Sequence, residues 1–481
     1  MEYDTEGSLA TTHASHGSDM GLCGGLMGWD AADPRLVESI AFLKESGIDL
    51  TICSAPLFDS HPNTYRLTVV GERHHHTIKA VSTGGGIIEI TAVDDIPVSI
   101  AGDYYETLIF IEHSGRYGEQ GLRDTPGVDH VLYHSIHTGT LIQIKGQGFI
   151  DEADLPSPAQ GRHISSVRHL SPVLPVLSRQ DMSVPFSTCA QMLSDENAAS
   201  RPLWELAAQY ESERAGVAQQ EIIVRMVDIV RIMRQAVEHG MSGTSHNDRI
   251  LPEQSTLFEQ RWRAGTLIDA DLTNRIVLYA NALMERKSAM GVIVAAPTAG
   301  SCAALPAAVL AVADTLGRTD EDAARAVLAG GLIGVFIANM STFAAEVAGC
   351  QAECGSASGM TAAALATLAG GSSGQAVSAA SIALQNTLGM ICDPVANRVE
   401  VPCLGRNILA ATNALACTNM ALAGLDPVVP LDQVIETMDR VGRSLPRELR
   451  CTGLGGLSIT QASRQIERRL SNHNNRDTKE P

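Results

Sequence analysis

Five of the ten cysteines in this 481-residue chain stand where thiol chemistry could be done. Cys350 and Cys354 fall in "EVAGCQAECGSASG", Cys392 and Cys403 in "ICDPVANRVEVPC", and Cys451 in "CTGLGGLSIT". Cys350 precedes Cys392 by 42 positions and Cys392 precedes Cys403 by 11, and no Cys-x-x-Cys pair occurs, which disfavours a zinc ribbon or a thioredoxin-like centre. Three separated thiolates, Cys350, Cys392 and Cys403, could hold an iron–sulfur cluster if tertiary structure brought them together; four cysteines are the usual complement. One iron would then stay open, a Lewis acid able to take a substrate's hydroxyl and carboxylate oxygens. By spacing alone, unrelated buried cysteines are the plainer reading. Cys354, four residues after Cys350, could share its helix face and act as a fourth ligand, which would close the cluster; Cys451 is a weaker candidate of the same kind. Cys23, Cys53, Cys189, Cys302 and Cys417 sit among small or apolar neighbours and read as core.

Other residue types suit a small anionic substrate. Thr298, Gly300 and Ser301 lie in a loop opening the helix "CAALPAAVLAVADTLG", where backbone N–H groups and hydroxyls suit a carboxylate as well as they suit an ordinary helix cap. Arg406 and Asn407 follow Cys403; an arginine there could grip a carboxylate in two bonds or brace the cysteine loop. Gly84, Gly85 and Gly86 do not make a phosphate loop, since neither Gly-Lys-Ser/Thr nor a helix start follows.

The elements around these residues change character along the chain. Up to about residue 150, short β-branched runs such as "YRLTVVG", "GGGIIEITAV" and "ETLIFIEHSG" read as strands, with one helix in "DPRLVESIAFLKESG". Residues 1–96 are expected to be a smaller α+β domain, and 97–150 a small sheet module, regulatory or a plain extension of the sheet. Residues 151–185, with five prolines, read as a linker. Residues 186–470 are expected to be a helical catalytic domain and 471–481 a disordered tail. The fold class is thus α+β, an N-terminal α/β sandwich-like domain followed by an all-α domain. Val327–Ala345 and Ser356–Cys392 carry no charge, and the second is rich in Gly, Ala, Ser and Thr, which points to helices packed closely at the centre of a domain rather than to a membrane span.

The formal net charge of −19 opposes binding to nucleic acid or to an anionic membrane. The N-terminus lacks a basic start and an apolar run of signal length, so a cytoplasmic protein is expected. Sparse cysteines agree with a reducing compartment. A homo-oligomer, a dimer first, is the expected assembly.

Taken in order, "APTAGSCAALPAAVL", "EVAGCQAECGSASGMTAAAL", "GMICDPVANRVEVPCLGRNILAATNA" and "CTGLGGLSIT" resemble the iron–sulfur-dependent L-serine ammonia-lyases, or L-serine dehydratases. "GSLATTHASHGSDMGLCGGLMG", "DSHPNTYRL" and "STGGGIIEI" resemble that family's smaller domain. The resemblance implies a 4Fe–4S cluster on Cys350, Cys392 and Cys403, an amino-acid substrate on the open iron, and elimination of water and ammonia from serine to give pyruvate, a step of amino-acid degradation that feeds gluconeogenesis. It also implies that His16 and His61 act at the substrate with Thr298 and Ser301, while Asn63, Gly300, Arg406 and Asn407 bind it. The chain departs from the family in lacking a Ser-Ser-Ser-His-Thr loop, and in carrying Ala-Asn-Arg where small glycines are expected after Cys392, which turns attention to Arg398. Elimination of another β-substituent, such as sulfide from cysteine, and a non-catalytic amino-acid-binding or partner subunit are the alternatives.

Overall fold

The computed structural model describes residues 1–477 apart from 8, 15, 60, 62, 73, 74, 85, 113–121, 137–138, 151–162, 175, 181 and 247. The chain is α+β and divides into two compact units. A sheet unit comprises residues 1–10, 51–184 and 212–217; a helical unit comprises 11–50, 185–211 and 218 onward.

In the sheet unit, six strands run in the order β2-β1-β3-β4-β5-β6, from β1 (Glu2–Asp4), β2 (Cys53–Ala55), β3 (Thr64–Val70), β4 (His75–Gly84), β5 (Ile87–Val93) and β6 (Ile96–Ile100). Only β1 and β2 are parallel. Along β6, Ile96, Val98 and Ile100 point inward in alternation, which pairs it with β5. The module expected from residue 97 therefore begins later, at β7 (Tyr105–Glu112), with β8 (Val128–Ile136), β9 (Gly139–Gly146) and β10 (His163–Leu170) in the antiparallel order β10-β7-β9-β8. Alternation gives β7 and β9 two apolar faces. Leu108 and Leu141 pack with Val98 and Ile100, while Ile109, Ile111, Ile142 and Ile144 pack with Val131. Since β10 lies within the expected linker and pairs along β7, that segment is structural from His163; its residues 151–162 lie outside those described.

The helical unit recruits the segment 11–50, so the expected domain at 1–96 is interrupted. Helices α1 (Ser18–Leu26) and α2 (Ser39–Glu45) bury Cys23 and Leu43, and the Ser39 hydroxyl donates to the Met20 carbonyl. Further helices of this unit are α3 (Gln219–Met241), α4 (Ser255–Arg263), α5 (Asp271–Ser288), α6 (Ala304–Leu316), α7 (Asp320–Met340), α8 (Ser356–Leu368), α9 (Ser373–Gln385), α10 (Cys403–Leu422), α11 (Leu431–Ser444) and α12 (Gln461–Asp477), and the helix Leu203–Ala215 begins in it. The last runs into the segment expected to be disordered, and residues 478–481 lie outside those described.

Helix α8 is the centre of this unit and packs against α6, α7, α9 and α10. Its small residues let four neighbours approach. A Cβ on Gly330 of α7 would lie 2.7 Å from the Met360 carbonyl oxygen of α8, and one on Gly359 would lie 2.8 Å from Leu384 of α9. Two buried hydroxyls on α8 are satisfied at carbonyls, Ser358 at Ala410 and Thr361 at Ala357, while that of Ser356 has no partner among the described residues. The segments Ala299–Leu316 and Asp320–Met340 have the length and apolar composition of a membrane span, and most of each is buried inside the protein.

Candidate active site

Each site cysteine is placed by a different local device. Cys350 opens a π-helical turn, Gln351–Gly355, that leads into α8; such turns widen a helix and recur at functional sites. Cys354 lies one turn on, its N–H donating to the Cys350 carbonyl at 2.8 Å. Cys392 sits in extended chain between two backbone bonds, its N–H to Leu449 O at 2.8 Å and its carbonyl to Cys451 N–H at 2.9 Å. Cys403 is the first residue of α10, following Pro402.

All five thiols are buried. Cys350, Cys354, Cys392 and Cys451 pack with Ala304, Ala345, Ala357 and Ala410. Within this group Cys350 interacts with both Cys354 and Cys392, and Cys392 with Cys451. Cys403 lies within electrostatic reach of Cys350 and Cys451. Cys350 is the thiol best placed to ionise, held well below the usual range by S–H groups of Cys354 and Cys392 and also favoured by Arg406. Hydrogen bonding of their S–H groups to Cys350 in turn raises Cys354 and Cys392, while burial raises Cys403. Among the described residues no three His, Cys, Asp or Glu side chains converge on one metal ion. The donor set instead suits a group that takes several thiolates at once over a wider span, and iron–sulfur clusters do so.

The hydrogen-bond partners of the nominated polar residues show which are already engaged. Thr298 caps the turn before α6, accepting from Ser301 N–H, while its own N–H donates to Ser301 Oγ at 3.2 Å. The Thr298 hydroxyl donates to Glu353 Oε1 at 2.7 Å. Asn407 is buried and fully occupied: Oδ1 accepts from Ala303 and Ala304 N–H, both at 3.0 Å, and Nδ2 donates to the carbonyls of Gly300 at 2.8 Å and Cys403 at 2.9 Å. The Ala303 and Ala304 N–H groups at the start of α6 are thus spent on Asn407, which caps that helix. At Gly300, a Cβ would lie 2.8 Å from Glu353 Oε1, so glycine makes room for that carboxyl. Arg406 donates through Nη2 to Asp393 Oδ1 at 2.6 Å, and Asp393 also accepts from Leu457 N–H at 2.8 Å. This pair braces the cysteine loops against the segment after Cys451.

His16 belongs to the helical unit, where its Nε2 lies 3.1 Å from the carbonyl oxygen of Asn397. A carbonyl only accepts, so Nε2 carries the hydrogen and the ring's lone pair lies on Nδ1. The ring is exposed yet crowded by neighbours, and desolvation first, then the positive charges of Lys287 and Arg398, push its pKa below the ordinary value. His61 and Asn63 lie in the sheet unit. There the His61 ring accepts at Nδ1 from Asn63 N–H at 3.1 Å, and His61 borders a cavity of ≈ 180 Å³ with Asp4, Thr5, Glu6, Pro56, Phe58 and Asp59.

Two residues not nominated from the sequence belong to the helical site. Glu353 is lifted to about 8 by burial, and then by Cys350. Lys287, near the end of α5, donates to Val399 O at 2.5 Å, and its charge reaches His16, Cys302, Glu353 and Cys403. The presence of Glu353 within "CQAEC" was a usable signal; for Lys287 there was none.

Comparison with known proteins bears on this same region. A family model described as "Serine dehydratase alpha chain" matches residues 198–458. The probable L-serine dehydratase alpha chain of Bacillus subtilis (strain 168) is 38% identical over 260 residues, 54% of this chain and 87% of that one. The L-serine dehydratase alpha chain of Peptoniphilus asaccharolyticus is 32% identical over 283 residues, 59% of this chain and 97% of that one. The L-serine dehydratase of Streptomyces coelicolor is 36% identical over 293 residues, covering 59% and 63% of the two chains. The matched model spans the five gathered thiols, the Thr298 turn, Glu353 and Asn407, and on that ground the chain belongs to the serine dehydratase alpha-chain family.

Proposed function

We propose that this protein is an L-serine ammonia-lyase that holds a 4Fe–4S cluster on Cys350, Cys392 and Cys403. The observation that supports it most is the packing of four buried thiols beside Arg406, with the buried Cys403 within electrostatic reach of them, in a chain that aligns with relatives named L-serine dehydratase. When bound, the cluster would supply a Lewis-acidic iron that favours departure of the substrate's hydroxyl. The chain's own residues do the rest. His16, kept neutral and tied through Nε2 to Asn397, offers Nδ1 as the base for the α-proton. Loss of that proton and of the β-hydroxyl leaves an enamine, which tautomerises and hydrolyses to pyruvate and ammonia. Arg406 offsets the negative charge of the thiolates, and Thr298 with Ser301 fixes the carboxyl of Glu353 at the edge of the site. His61 and Asn63 keep the substrate-facing role that the resemblance implies. The lyase is proposed to work as a homodimer in the cytoplasm; all ten cysteines are free, as a reducing compartment would keep them.

The test is anaerobic reconstitution with iron and sulfide, followed by iron analysis, EPR and a serine-to-pyruvate assay. Wild type should take up a cluster whose EPR signal changes with serine, and should form pyruvate. Cys392→Ser and Cys403→Ser should lose both, whereas Cys354→Ser should keep the cluster. Wild-type protein that binds serine without turnover would be a non-catalytic subunit, and faster sulfide release from cysteine than pyruvate formation from serine would reassign the substrate.

A further inference from the structure

Of the groups nominated from the sequence to hold the substrate's carboxylate, Asn407 is engaged with the Ala303 and Ala304 N–H groups and Thr298 with Glu353, while Arg406 donates through Nη2 to Asp393 and keeps a buried Nη1 without a partner among the described residues. Two further cationic groups, Arg398 and Lys287, lie beside His16 and also keep donors to give. Arg398 is only 7% exposed, and its guanidinium donates through Nη2 to Asp248 Oδ1 at 2.5 Å, while the buried Nη1 has no partner among the described residues. A buried charged N–H group left unpaired is costly, and a carboxylate is its natural complement. Lys287 spends one ammonium proton on Val399 O and makes no ion pair among the described residues, which leaves two protons to give.

One tripeptide joins these groups. Asn397 accepts from His16, Arg398 follows it, and Val399 accepts from Lys287. The backbone entering it is held in an unusual shape, with φ of 50° at Ala396 and 54° at Asn397, both left-handed and neither glycine. Bonds from Ala396 N–H to Ser463 Oγ at 2.8 Å and from Arg398 N–H to Val395 O at 3.0 Å maintain it. In an amino acid the carboxylate carbon is bonded directly to the carbon that carries the α-proton. A cation one residue from the carbonyl that orients His16 can therefore hold the carboxylate and present that proton to the ring in a single placement.

We propose that Arg398, through Nη1, and Lys287 are the positioning residues that grip the substrate's carboxylate, an inference that rests on the lyase reading above. The reconstituted protein should bind L-serine more tightly than L-serinamide, which has the same hydroxyl and amine but no carboxylate. Thermal-shift titration with each compound, alongside steady-state kinetics, tests it on wild type, Arg398→Gln, Arg398→Lys and Lys287→Gln. Arg398→Gln should weaken serine binding and raise KM by about 10- to 100-fold, with serinamide binding and the iron content unchanged. Arg398→Lys should recover part of the loss, and Lys287→Gln should act in the same direction with a smaller effect. Equal weakening of serine and serinamide, or a fall in kcat at constant KM, would overturn the proposal, as would a wild type that does not distinguish the two compounds. The titration needs no turnover, so a wild type that prefers serine yet forms no pyruvate would sink the lyase reading alone.

Discussion

At Glu353, burial acts directly on a titrating group. The carboxyl accepts the Thr298 hydroxyl and is lifted from 4.5 to about 8, by desolvation first. The sign follows from which state binds the proton. Below the ordinary carboxyl range both folded and unfolded chains are protonated and nothing is lost; between 4.5 and about 8 the unfolded chain ionises freely while the folded one resists, so stability falls as pH rises. Glu353→Gln keeps the shape and the bond from Thr298 but cannot ionise. The metal-free variant should therefore unfold with wild type near pH 4.5 and be more stable by about 1–3 kcal/mol near pH 7, as urea denaturation at the two pH values would show. The site was only partly legible at this scale. The blocks around Cys350, Cys392 and Cys403 could be read from the sequence, because a motif is a local pattern. The occupation of Asn407 by Ala303, Ala304 and Gly300 lies across about a hundred positions and has no such local pattern.

Between elements, close approach and capping decide how firmly the site is held. Helices α7 and α8 cross at Gly330, where a Cβ would stand 2.7 Å from a backbone oxygen that cannot rotate away. Gly330→Ala should force the helices apart and cost about 1–3 kcal/mol, seen as a lower denaturation midpoint despite alanine's better helix propensity. The start of α4 depends on a residue of α5. Buried Glu285 accepts from Gln254 N–H at 2.7 Å, Ser255 N–H at 2.8 Å and Ser255 Oγ at 2.7 Å. Glu285→Ala would strand these donors and should destabilise the fold by about 2–3 kcal/mol, whereas Glu285→Gln should recover part of it in the same denaturation assay. The uncharged, small-residue composition of Ser356–Leu368 already implied a helix surrounded by others. Which helices surround it follows from packing alone.

For the molecule as a whole, the family match and the structural division do not coincide. The family model matches residues 198–458 and the alignments cover 87% and 97% of two relatives named alpha chains, while the helical unit here also includes residues 11–50 and with them His16. A fragment of residues 186–481 should fold and take up iron on reconstitution, since it retains all five gathered thiols. It should form pyruvate at less than about 1% of the full-length rate, because removing a general base typically costs 10²–10⁴. Parallel iron analysis and pyruvate assays on fragment and full chain would check this.

By itself, the sequence determined the α+β class, the change from strands to helices, and the family blocks that carry the three cysteines, because periodicity, composition and motif are properties of neighbouring residues. Only the tertiary structure decided that β6 closes the first sheet, that β10 turns part of the expected linker into a strand, and that residues 11–50 pack with the helices. It also decided that Cys354 and Cys451 join the thiol group, that Asn407 is spent as a cap, and that Lys287 and Arg398 flank the loop that holds His16. Each of these depends on which distant polar group or apolar face meets another, and burial sets the strength of that meeting once the chain has folded.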